Sequence, residues 1–155
     1  MSSALEGSSA PPKDPRPRVP APVRRLGYLM AAAMNGAMLW VAHQLLDWGW
    51  PGFLTDDFAL ALGWVAASLI AGIVVNLGLV VHHRGRARAL ADLVTAAFAL
   101  AAGLRMWEVF PFDFTGYATD WSGLMRAALG VGIAATGIAI VVNLAKLVTG
   151  RQKDA

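Results

Sequence analysis

Residues 58 to 81, FALALGWVAASLIAGIVVNLGLVV, run for 24 positions without a charge. At about 1.5 Å of rise per residue, a helix of this length crosses a hydrocarbon layer of about 30 Å. Backbone polar groups cannot be left bare in lipid, so a segment that crosses must be a helix. Three further apolar runs accompany it: Leu26 to Leu46, Leu90 to Phe110 and Leu124 to Ala145. The third is interrupted by Asp92, Arg105 and Glu108, and the fourth carries only Arg126. No stretch alternates with a period of two, as a membrane barrel requires. The expectation is an all-α polytopic membrane protein with four transmembrane helices over 26–46, 58–81, 90–110 and 124–145.

Charge placement predicts how the chain is threaded. The first 25 residues carry Lys13, Arg16, Arg18, Arg24 and Arg25. The middle connection carries Arg84, Arg86 and Arg88, and the end carries Lys146, Arg151 and Lys153. The alternate connections, 47–57 and 111–121, have no Lys or Arg and contain Asp47, Asp56, Asp57, Asp113 and Asp120. By the positive-inside rule both termini are expected in the cytoplasm and both acidic loops outside. A nucleic-acid partner would need a folded basic surface, and these scattered clusters leave no room for one. Residues 1–22, rich in Pro, Ser and Ala, have almost nothing to bury and read as a disordered cytoplasmic tail. Residues 23–148 form the membrane domain, and 149–155 a short cytoplasmic tail. VRRLGY at 23–28 faintly echoes an export signal. The apolar run behind it spans a membrane and lacks a clean cleavage site, so it reads as a retained anchor. The weight of Ala, Gly, Val, Arg and Pro hints at a GC-rich bacterial gene, and the expected location is the bacterial cytoplasmic membrane.

The segment WEVFPFDFTGYATDW, 107–121, packs six aromatic residues and three carboxylates into fifteen positions. Trp and Tyr favour the headgroup layer, where a ring is half buried and its polar edge stays wet. Pro111 should end the third helix, because it biases the preceding residue away from helical geometry. DWGWPGF at 47–53 reads as the matching belt on the other acidic loop.

IVVNL occurs at 73–77 and again at 140–144, an offset of 67. The same offset lays GAMLW (36–40) over GLRMW (103–107) and leaves 14 of 55 positions identical across residues 26–80. This reads as a duplicated helical hairpin, whose halves a two-fold axis along the membrane normal would relate.

Three asparagines are candidate polar packing residues. Asn76 and Asn143 end the small-residue stripes Ser68, Gly72 and Ala135, Ala139, where helices approach closely and an amide can bond across. Asn35, near the middle of the first helix, could instead line a path. Arg105 and Arg126 stand five residues from the outer ends of their helices, roughly 7 Å deep at the usual rise. With Glu108, Asp113 and Asp120 they form a candidate outer-leaflet charge network, anchored by snorkelling side chains. The rival reading is a cationic pocket for a phosphate or carboxylate headgroup, since guanidinium forks suit such anions.

No catalytic, cofactor or metal site is expected. There is no cysteine, so thiolate sites are excluded. His43 stands alone, and adjacent His82 and His83 diverge by about 100° on a helix, poorly placed to chelate one metal. Ser68 has no evident base. Asp92 is read as a first-turn charge favouring a helix N-terminus. The expected function is that of a non-enzymatic integral membrane protein, a subunit or accessory of a larger assembly or a homo-oligomer. Its expected partners are membrane lipids and a protein or a second copy. The alternative is a small transporter or lipid-handling protein using Asn35 and the Arg105/Arg126 pair.

Overall fold

A computed structural model describes residues 20–81 and 85–149. It contains four helices: α1 (Ala21–Trp48), α2 (Phe58–Val81), α3 (Gly85–Val109) and α4 (Ser122–Val148). All four are long and apolar enough to cross a membrane, and the fold is that of a multi-pass membrane protein. The limits of α2 are those its uncharged run predicts. The others run on past their apolar cores, mostly toward the basic segments. Apolarity marks only the stretch suited to lipid, whereas Ala, Arg and Lys continue a helix in water equally well.

Two expectations shift as a result. α1 begins inside the expected tail, at Ala21, with Pro22 in its first turn, where a missing N–H costs no helical bond. α3 begins at Gly85, which puts Asp92 seven residues in. The helix-terminus explanation for that carboxylate fails, because the dipole acts over the first turn only. The rest of the tail, His82, His83, Arg84 and residues 150–155 lie outside the described residues.

Local chemistry sets the helix ends. Gly49 closes α1 in the left-handed region, φ 58°, which glycine enters without steric cost. α2 starts on a turn in which Thr55, Asp56 and Asp57 accept bonds from the amides of Phe58, Ala59 and Leu60 at 2.9–3.0 Å. The two carboxylates there favour the positive helix terminus. Pro111 ends α3 as expected, one residue beyond Phe110, whose φ is +43°.

The helices do not close into a bundle. Among the described residues the packed pairs are α1 with α2, α2 with α3, and α3 with α4. The result is an open row, bent so that residues of all four helices line one groove at the basic end, including Asn76, Asp92 and Asn143. Small residues set the close approaches. A Cβ on Gly72 of α2 would lie 2.7 Å from Nδ2 of Asn35 on α1, and one on Gly103 of α3 would lie 3.2 Å from Ile133 on α4. Between helices in lipid such van der Waals contact replaces the hydrophobic drive.

The open row overturns the two-fold axis expected from the repeat. A half-turn carrying α1–α2 onto α3–α4 also carries the α2–α3 contact onto an α4–α1 contact, and none exists among the described residues.

Candidate functional site

The two acidic loops lie at the same end of the row and are bonded to one another. Leu54 and Phe112 form an antiparallel bridge. The Thr55 amide donates to the Pro111 carbonyl at 3.0 Å, and the Asp113 amide to the Phe53 carbonyl at 2.8 Å. Rings fill the space around this bridge. Phe53 stacks on Phe114 with centroids 5.4 Å apart, and Tyr117 stands edge-on to both at 6.4 and 6.1 Å. Pro111 is fully buried and Phe114 is 6% exposed. The aromatic residues therefore make a small core of their own, beyond a belt of rings in the headgroup layer. Sequence reading missed this loop–loop lock. The only hint was that both loops carry a proline between aromatic residues, in WGWPGF and FPF.

The five residues of the expected charge network do not form one network. Arg105 makes the single link, from Nη1 to Oε2 of Glu108 at 2.6 Å, and its Nε lies 3.4 Å from the Leu60 carbonyl on α2. Arg126 is taken up by rings, its guanidinium 3.9 Å from the centroid of Phe110 and 5.8 Å from that of Trp107. No carboxylate pairs with it among the described residues. The two aspartates fold back on their own backbone instead. Asp113 accepts the Thr115 amide and Asp120 the Ser122 amide, both at 2.9 Å, a local bond that short acidic side chains favour in turns. Thr115 (amide first, then hydroxyl) and Ser122 (hydroxyl first, then amide) hold these carboxyls below their ordinary range. Hydrogen bonds to the charged form favour it, so both are anions at neutral pH.

Separate partners predict separate energetics. Arg105→Gln should cost up to about 1 kcal/mol, the value for a partly exposed ion pair. Arg126→Gln should cost about 0.5–1 kcal/mol from the lost cation–π contact. The double variant should equal the sum within about 0.5 kcal/mol, since the two share no partner. Denaturant unfolding in mild detergent checks this; a larger coupling energy would restore the single network.

The asparagines divide similarly. Asn76 donates from Nδ2 to the Gly72 carbonyl at 2.7 Å, within its own helix. Asn35 sits over Gly72 from α1, and Asn143 lines the basic-end groove beside Ala139 and Thr136. Among the described residues, neither Asn76 nor Asn143 makes the cross-helix amide bond expected of it, and the Asn35 amide packs against Gly72. Ser68 and Thr95 likewise bond to carbonyls of their own helices, as does His43, on Leu39 at 2.9 Å. No protein-family model, curated protein or solved structure matches this chain, and the geometry alone carries the functional reading.

Proposed function

We propose that this chain is a non-enzymatic membrane subunit that assembles with further copies of itself. The observation that supports the reading is the missing contact of the open row: among the described residues, α1 and α4 each pack on one helix where α2 and α3 pack on two. The repeat offers a partner for both free faces. Leu60 and Trp64 of α2 share a surface recess with Ala101, Leu104 and Arg105 of α3. The offset of 67 turns these into Ala127 and Val131 of α4 and Met34, Ala37 and Met38 of α1. The last set is bare, with Val131 69% and Met34 63% exposed. Laying α4 of one copy on α1 of the next would set these equivalents side by side, as Leu60 and Trp64 stand beside Ala101 and Leu104 within one chain. Such head-to-tail contacts close into rings or continue as filaments.

The chain contains no cysteine, so engineered pairs report cleanly. Met34→Cys with Val131→Cys should give an oxidised ladder of oligomers in native membranes, and neither single variant should exceed a dimer. A double variant that stays monomeric defeats head-to-tail assembly. Native purification in mild detergent then distinguishes a different protein partner from none.

A second reading, lipid handling, is favoured by one observation, the Arg126 guanidinium without a carboxylate partner among the described residues. Its signature is thermal stabilisation by phosphatidylglycerol, through mass action on the folded state, that Arg126→Gln abolishes.

The proposed location is the bacterial cytoplasmic membrane, with both termini in the cytoplasm. The alternation of basic and acidic segments supports this orientation. Reporter fusions at 20 and at the C-terminus should read as cytoplasmic and those at 52 and 116 as external. A cytoplasmic signal at 116 breaks the assignment.

A further inference from the structure

Beside the loop lock, Phe53, Phe114, Tyr117 and Trp121 form one wall of an open pocket of about 410 Å³, with Leu124 and Met125 of α4 on its other side. A volume of this order suits a small ligand. Its lining is apolar throughout. A group pressed against this lining gives up its hydrogen bonds to water on that side and finds no replacement for them there. Only groups that donate and accept nothing enter without that loss, namely hydrocarbon and the quaternary ammonium ion.

Charge discriminates between these two. The acidic end carries Asp47, Asp56, Asp57, Glu108, Asp113 and Asp120 against two arginines. Arg105 is neutralised by Glu108, and Arg126 is engaged with Phe110 and Trp107, which are not part of the pocket wall. Asp113 and Asp120 adjoin the wall residues Phe114 and Trp121 in sequence, and each carboxylate is fixed in its own turn by the amide two residues on, that of Thr115 or Ser122. Four ring-bearing residues set in an anionic surround have the chemistry that recognises alkylated ammonium groups. We propose that this pocket binds a quaternary ammonium group, carried either by a lipid headgroup or by a free organic cation.

The test uses the full chain in phosphatidylglycerol nanodiscs, titrated with choline and with its neutral carbon isostere 3,3-dimethylbutan-1-ol. Choline should bind at least about fivefold more tightly, the scale of one cation–π contact. Trp121→Leu, which keeps an apolar wall but removes a ring, should weaken choline by about fivefold and leave the isostere unchanged. Tyr117→Leu provides a second removal of a ring, and the Asp113→Asn/Asp120→Asn pair removes charge while keeping the acceptors for Thr115 and Ser122. Circular dichroism confirms that each variant keeps its helices. Loss of choline binding in phosphatidylcholine nanodiscs identifies the lipid headgroup as occupant. Undiminished binding there identifies a free cation. Equal affinity for the isostere makes the pocket a hydrocarbon slot and overturns the proposal, as does absence of choline binding or indifference to both ring removals.

Discussion

Phe114→Ala should destabilise the protein by about 3–5 kcal/mol, the cost of emptying a buried phenylalanine site. The ring is 6% exposed and touches both sides of the loop lock, stacked 5.4 Å from Phe53 and set edge-on to Tyr117. Its removal leaves a void between two loops otherwise joined by a few backbone bonds, chiefly those from Thr55 and Asp113. Each of those bonds is worth about 0.5–1.5 kcal/mol net. The loops should then part, and a protease added from the acidic side should cut near Gly116 in the variant and spare the wild type. Phe112→Ala, at a half-buried position on the same bridge, should cost less. A loss under about 1 kcal/mol for Phe114→Ala, well below the usual range for such truncations, would mean that α2–α3 packing alone positions the loops.

This lock also marks where sequence reading stops. The helices were legible because each is encoded locally: the uncharged run of α2 ends against Asp57 on one side and the polar residues after Val81 on the other. The joining of Phe53 to Phe114 is a contact between distant segments, and no periodicity records it. Arg126 teaches a related lesson. Proximity along the chain favoured Asp113 and Asp120 as its partners, but amides two residues away claimed both carboxylates first. A bond closed within a turn orders fewer groups than one made across helices, so it costs less conformational entropy. The arginine was left to the ring of Phe110, which stands at the end of α3 in a left-handed conformation. The repeat was legible as words, whereas its geometry was not. Identical segments fix how helices resemble one another and leave open whether the first meets the last.

Gly72→Leu should separate α1 from α2 and cost about 3 kcal/mol, the upper end for overpacking a tight contact. The first added carbon would already stand 2.7 Å from Nδ2 of Asn35 and 3.1 Å from its Cγ. Gly72→Ala can be relieved by turning the Asn35 amide, since no hydrogen bond among the described residues fixes that side chain, and should cost about 1 kcal/mol. A leucine reaches past the amide to the α1 backbone, and only movement of a whole helix admits it. The control lies six residues further along α2: Gly78 faces open space, so Gly78→Leu should be tolerated. The cause is then isolated by compensation. If the clash is with Asn35, Asn35→Ala should rescue Gly72→Ala almost fully and Gly72→Leu only in part, with a coupling energy within the 0.5–3 kcal/mol typical of touching residues. Equal losses at Gly72 and Gly78 would show that the glycine serves helix flexibility and not close approach, and the α1–α2 contact would need another cause.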